Sequence, residues 1–502
     1  MATLLDALNA AVNHHMAGRA DAAADAYRRI LAAEPAQPDT LHLSGVLWAQ
    51  TGDAATAVRW IGRAVRLRPG APAPWSHLGA ALRAAELPER AEPVLRRALA
   101  LDPADGDALE AQGASLHALA RYADARRWLE RADRLRPGHA ATLLNLGTVL
   151  RDQRRFDEAE ACFDAVLVHN PAYADAHLAR AVGRLVRGDL RAGWEGFEHR
   201  WHRFATPPWA GQPPGGATIL LHMDQGFGDA IQFVRYAPLV AQIAAQGGGR
   251  VILETHLLLY RLFNRCLGSS IQVLTRGEAP PPHDIHCPLM SLPRAFGTGL
   301  ADIPAAVPYL APDPGDIARW RDRLDGLGDA EEERPGFQGG LRTGLMVGLV
   351  WAGNPQHRND RNRSIPAEAL LPLLRVPGVR FVSLQTGEAA AALDRLPGVR
   401  VPNAMERVRD FADTAAILAN LDLLVTVDTA IAHLAGAMGV PCWLMLPHVP
   451  DWRWMLDRAD SPWYPSLRLF RQPRPGDWTT TLGTAAAVLK AQAARAARIV
   501  AR

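Results

Sequence analysis

Residues 425–441 read VTVDTAIAHLAGAMGVP, and the fold of the second half of the chain turns on them. The apolar run LDLLVTV (421–427) stops at Asp428, as a short buried strand does. Beyond it, Ala432, Ala435, Gly436 and Ala437 are small residues that let a helix pack close to a sheet. A further apolar run, PCWLMLP, follows at 441–447. Strand, turn, helix, strand is the unit of a doubly wound α/β fold. At the seam, Asp428 can cap the helix, and Thr429 offers a hydroxyl and a backbone N–H at its positive end. His433, four residues on, shares a helix face with Thr429. Two readings stay open on spacing alone. One is an anion site at a helix N-terminus; in the other, Asp428 only caps and His433 only packs.

The same grammar runs outward on both sides. LMVGLVWAGN (345–354), VRFVSLQ (379–385) and TAAILANLDLLVTV (414–427) extend this unit backwards. A second unit starts earlier, with TILLHM (218–223), the glycine turn and helix DQGFGDAIQFVRYAPLVAQIAA (224–245), then GRVILE (249–254). The Pro- and Gly-rich stretch 202–215 precedes it as a linker, and the acidic, Gly-rich tract 313–344 separates the two. The expected domains are therefore 216–312 and 345–480, with a C-terminal helix at 481–502.

Three stretches carry candidate chemistry. In the glycine turn, Gly226 and Gly228 permit a tight turn and close backbone approach to a ligand. Asp229 reads first as the helix N-cap and second as a cleft carboxylate able to take a proton from a hydroxyl. In WAGNPQHRNDRNRSIP (351–366), Gly353 and Asn354 end a strand, and His357, Arg358, Arg361 and Arg363 follow. Guanidinium groups suit phosphate oxygens, and Arg363, nearest the next helix, is the preferred ligand among residues that otherwise read as a solvated loop. In PDWRWMLDRADSPWYPSLRLF (450–470), Trp452, Trp454, Trp463 and Tyr464 form either an aromatic wall for a sugar ring or an anchor between domains.

The first 200 residues are different. Pro35, Pro69, Pro103, Pro137 and Pro171 stand 34 residues apart. Gly45, Gly79, Gly113 and Gly147 keep the step, as do Ala23, Ala57, Ala91, Ala125 and Ala159. Small residues where helices cross and a proline closing each second helix are what paired antiparallel helices require. Trp48, Trp75, Leu109 and Leu143 are expected to fill the layers. The pattern resembles the tetratricopeptide repeat: five units over about residues 4–173 and a degenerate sixth as cap, giving a domain at 1–201. Such arrays leave a concave groove, here read as a protein-recognition surface. Its inferred inner positions, Asp39, His42, Arg83, Asp107, Glu110, His117, Asn145 and Arg151, are mixed and form no asparagine ladder.

Composition bounds the function. At 502 residues the chain needs several domains, and its net charge of +3 gives no push towards nucleic acid or a membrane surface. Lys490 is the one lysine, so any anion site uses arginine, histidine and backbone N–H groups. Cys162, Cys266, Cys287 and Cys442 are scattered with no CxxC pair, as expected of free thiols in a reducing compartment. The N-terminus reads as an amphipathic helix rather than a signal peptide, and no run approaches the ~18 apolar residues of a membrane span. A cytoplasmic protein is expected.

Together, GFGDAIQF, GLVWAGNPQHRNDRNRSIP, VSLQTG, the block from Asp410 to Leu446 and DWRWMLDRADSPWYP resemble bacterial tetratricopeptide-repeat glycosyltransferases. Their catalytic half is related to the ADP-heptose:lipopolysaccharide heptosyltransferases of glycosyltransferase family 9. The resemblance implies an α + α/β chain, a repeat solenoid followed by the two Rossmann-like domains of a GT-B fold. It implies transfer of a sugar from a nucleotide-sugar co-substrate, without a resident cofactor or metal, to a protein hydroxyl; flagellin is an acceptor of some relatives. Carried over, Asp428, Thr429 and His433 hold the diphosphate and ribose. Ala430 stands where the family usually has Gly, and Arg363 where it usually has Lys. Gln385 falls near the base, Gly353 and Asn354 line the site, and Gly228–Asp229 is the turn bearing the general base. No DxD-type acidic pair is placed to hold a metal. The competing reading is a non-catalytic, repeat-based interaction scaffold.

Overall fold

The computed structural model describes residues 3–200, 204–327, 344–357 and 359–500. The chain divides into two compact units, Met1–Arg180 and Ala181–Arg502.

The first unit is a stack of helix pairs, running from Leu4–Met16 with Ala20–Ala33 to Ala140–Asp152 with Phe156–His169. The repeating glycine sits where the helices of one pair cross. A Cβ on Gly45 would lie 2.4 Å from Ile61 Cγ1, on Gly79 2.3 Å from Leu95 Cδ2, and on Gly113 2.4 Å from Leu129 Cγ. Ile61, Leu95, Leu129 and Phe163 are themselves 34 residues apart and fully buried. The repeat is therefore a lock of no side chain against one large one. Leu109 and Leu143 fill the layers as expected, whereas Trp48 is 40% exposed. Several of the inferred inner positions bond across neighbouring repeats, to one another or to other polar residues. His42 Nε2 lies 2.7 Å from His77 Nδ1, Asn145 Nδ2 donates to Glu110 Oε1 at 3.2 Å, and His117 Nε2 meets Asp152 Oδ2 at 2.7 Å.

The division between the units falls at Arg180/Ala181, inside the helix Ala174–Val186, whereas the repeat phase led to an expected end at residue 201. The helix Leu190–Phe197 keeps a small residue, Gly193, in the phase of the repeats, but belongs to the second unit because Trp194 enters that unit's core. Trp194 is buried edge-on against Phe233, Trp452 and Trp463, and its Nε1–H donates to the Thr298 carbonyl at 2.9 Å.

The second unit contains two parallel sheets. The first has β1 (Thr218–His222), β2 (Arg250–Thr255), β3 (Gln272–Thr275) and β4 (Ile285–Pro288), in the order β3-β2-β1-β4. The second has β5 (Leu345–Val350), β6 (Val379–Ser383), β7 (Leu423–Val427), β8 (Cys442–Leu446) and β9 (Leu467–Arg471), in the order β6-β5-β7-β8-β9. Every pairing between named strands is parallel, which explains the near-continuous apolar runs: both faces are covered. One side of the second sheet packs Val347, Leu349, Val425 and Met445 against Leu373, Leu482 and Leu489. The C-terminal helix supplying the last two starts at Trp478, three residues before the expected boundary.

The stretch 313–344 is more than a linker. It opens with the helix Pro314–Gly326, whose Trp320 is buried. Asp413, on the helix Phe411–Leu418, accepts bonds from Arg261, Arg319 and Arg409 and from its own segment's backbone. Arg261 comes from the first sheet's helix Leu257–Leu267 and also grips Asp410 and Asp316. The guanidinium groups hold Asp413 far below the usual carboxylate range despite its burial.

Candidate functional site

In each sheet the strand order reverses beside the strand that opens it, between β1 and β4 and between β5 and β7. Crevices beyond the carboxyl ends of strands at such points are where open α/β sheets take ligands. The candidate residues follow β1, β5, β6 and β7.

Beyond β7, Thr429 rather than Asp428 is the N-cap of the helix Ala430–Met438, and no side chain caps that helix. The expected capping role of Asp428 is thereby corrected. Its carboxylate is little exposed and lies 4.0 Å from His433 Nε2. Burial first, and then the nearby Asp451, push Asp428 up to about 6, against the pull of Arg363 and Arg453. His433 is buried between the ring of Trp454 and the Tyr464 hydroxyl, 2.9 Å from its Nδ1. Burial and two nearby guanidinium groups hold it well below the usual imidazole range, so it is neutral near pH 7. Its part in the site is to fix the seam, not to supply a charge. Ala430 does not face open space either: a Cβ on Gly228 would sit 3.7 Å from its Cα and 2.8 Å from His433 Cδ2.

The loop after β5 is built around Arg363. Its Nη1–H donates to the Asp428 carbonyl at 2.9 Å and its Nε–H to Asp360 Oδ1 at 3.0 Å, so it spans the β5/β7 switch point. Gly353 leaves room for this pair, since a Cβ there would lie 2.3 Å from Asp360 Oδ1 and 2.4 Å from Arg363 Nη2 and would displace both side chains. Gln385, buried just after β6, accepts from the N–H groups of Trp351 (3.0 Å) and Ala352 (2.9 Å). It also donates to the carbonyls of Ala352 and Thr386. All its bonding capacity shapes this loop, so it is a positioning residue rather than a ready base contact. Asn354 is exposed, and its Oδ1 accepts from the Gln356 N–H. Arg358 lies outside the described residues.

Beyond β1, Gly226 is the N-cap of the helix Phe227–Phe233 and Asp229 is its third residue. The N-cap reading of Asp229 is therefore corrected; its Oδ2 accepts from the Gly226 N–H at 2.8 Å. Its Oδ1 is paired with Arg453 Nη2. Burial pushes Asp229 above the usual carboxylate value, Asp451 and Asp224 add to the shift, and Arg453 opposes it. A carboxylate made more basic by its surroundings is suited to accept a proton.

Arg453, Asp451 and Gln232 carry no weight in the motif reading, yet they link the loop after β8 to the helix after β1. Arg453 donates to Asp451 Oδ1 at 2.9 Å and to Gln232 Oε1 at 2.6 Å, and lies over the Trp452 ring. The sequence signal was the WRW triplet, a guanidinium flanked by two indoles. Trp452, Trp454, Trp463 and Tyr464 are all buried, so they anchor the site and form no open wall for a sugar.

Residues 11–72 and 78–140, and separately 116–183, match tetratricopeptide-repeat families. The chain is 26% identical to Protein FlbA of Caulobacter vibrioides over 514 residues, covering 89% of this chain and 83% of that protein. Among solved structures, the MamA protein is 22% identical over 34% of this chain and 93% of its own, with a TM-score of 0.30. A thermophilic tetratricopeptide-repeat protein of Thermus thermophilus is 22% identical over 36% of this chain and 100% of its own, with a TM-score of 0.32.

Proposed function

We propose that the second unit is a glycosyltransferase with a GT-B arrangement, which moves a sugar from a nucleotide-sugar donor to a hydroxyl of a protein held by the repeats. One observation carries this reading. The carboxyl ends of two parallel sheets carry a basic carboxylate, Asp229, paired with Arg453, and an arginine-backed helix N-terminus, Arg363 with Thr429 and Ala430, and the two abut at Gly228 and Ala430. In this scheme Asp229 takes the proton of the acceptor hydroxyl. The acceptor oxygen forms the new bond to the anomeric carbon, and the carbon–oxygen bond to the diphosphate breaks. The nucleoside diphosphate leaves with the electron pair, and Arg363 and the helix end stabilise its charge.

A second reading, an interaction scaffold with an idle α/β half, has a specific observation in its favour: the carboxylate of Asp229 is already paired with Arg453. Release of nucleoside diphosphate from a panel of nucleotide sugars, with water as surrogate acceptor, separates the two. Transfer chemistry predicts release with one donor and a loss of about 10²–10⁴ in rate for Asp229→Asn. No release from any donor, or release indifferent to Asp229→Asn, favours the scaffold.

A further inference from the structure

We propose that Arg453 is a latch on the base: it holds Asp229 paired, and the donor's diphosphate draws it off and so frees Asp229. The inference rests on the glycosyltransferase reading and adds a residue, and an order of events, to it.

Arg453 comes from the loop between β8 and β9, yet it bonds Asp229 and Gln232 on the helix after β1. Its charge is also felt by Asp428 and His433 at the seam after β7. Asp428 is in turn held at its carbonyl by Arg363, and the turn bearing Asp229 abuts the helix after Asp428, where a Cβ on Gly228 would lie 3.7 Å from Ala430 Cα. Gln232 and Asp451 fix its Nε and Nη1 edges, and Nη2 is the group paired with Asp229. Gln232 is wholly buried and its amide nitrogen has no acceptor, so its orientation serves Arg453 alone. The side chain also lies over the Trp452 ring, and Nη2 touches the Met290 sulfur as well as Asp229.

The charges favour an exchange. Arg453 is paired with Asp229 and Asp451, and Arg363 with Asp360, so an entering diphosphate competes with carboxylates for both guanidinium groups. A phosphate oxygen offers a guanidinium the same paired geometry as a carboxylate, with more charge. Once phosphate draws the whole guanidinium off, away from Gln232 and Asp451 as well as from Asp229, Asp229 loses the one partner that lowers its affinity for a proton most strongly. The base thus becomes competent only when the donor is present, which limits reaction of an unoccupied site.

The test is nucleoside diphosphate binding by calorimetry to the full chain, its Asp229→Asn and Arg453→Met variants and the double variant. A latch makes a prediction of unusual sign: Asp229→Asn tightens binding, because the competing carboxylate is gone. Arg453→Met weakens it, and in that background Asp229→Asn gains nothing, a coupling of about fivefold or more. Unchanged or weaker binding by Asp229→Asn alone overturns the latch, and this single variant decides even if Arg453→Met does not fold. Equal tightening with and without Arg453 also overturns it, since that is general charge relief. No diphosphate binding by the wild type overturns the glycosyltransferase reading itself.

Discussion

At the residue scale, what the sequence made legible was the strand end and the polar residues that follow it. Asp229, Arg363, Asp428 and Thr429 each follow an apolar run, and the structure gathers them. Arg453 was not legible, because its partners stand 224 and 221 positions away and nothing local marks it. Gln385 illustrates the converse. Its position at a strand end suggested a ligand contact, but its bonds to the β5 loop can be known only once that loop is folded. Asp428 yields a prediction in pH. An unfolded aspartate ionises near ~3.9. In the folded chain Asp428 is held up to about 6, so the folded state keeps a proton that the unfolded state has lost. The stability this contributes is full below the unfolded value and is lost as pH rises through the folded one. Asp428→Asn should therefore be more stable than the wild type at pH 8, by on the order of 1–3 kcal/mol, with the gap closing towards pH 4. Urea denaturation at both pH values measures it, and equal stability at pH 8 would contradict the assignment.

At the element scale, the repeats were the most legible part of the chain, because one local lock recurs in phase. Each glycine faces a large residue sixteen positions later, and neither end depends on distant sequence. Gly45 is the tightest test. A Cβ there meets Ile61's backbone nitrogen at 3.0 Å and the Ala57 carbonyl at 3.2 Å, so no rotamer change relieves it. Gly45→Leu should cost about 1–3 kcal/mol by overpacking, read as a lowered melting midpoint with helix content otherwise retained. A neutral result would mean that the helix pair crosses elsewhere. The α/β elements were legible in kind and order but not in their ends. The helix Pro314–Gly326 was lost inside a tract that composition marked as linker, because its anchors, Trp320 and the Asp413 cluster, are tertiary.

At the scale of the whole molecule, the boundary between the units is the instructive case. The 34-residue phase runs on into 174–197, but phase does not report which core a helix joins. Trp194 decides that, and it lies in the α/β unit. A fragment beginning at residue 202 should be markedly less stable than one beginning at 174. The loss of Trp194's burial alone is worth about 3–5 kcal/mol. Chemical denaturation of the two fragments checks this; equal midpoints would return the helix Leu190–Phe197 to the repeats. The repeats suggest a protein-interaction role, and no described helix is long and apolar enough to cross a membrane. The central claim is that a nucleotide occupies the cleft of the second unit. The most direct measurement is calorimetric titration of the full chain with ADP, GDP, UDP and CMP, with Arg363→Met alongside. The account predicts that one nucleotide binds and that Arg363→Met weakens it about tenfold or more. Absence of binding by all four, or binding indifferent to Arg363, would contradict it.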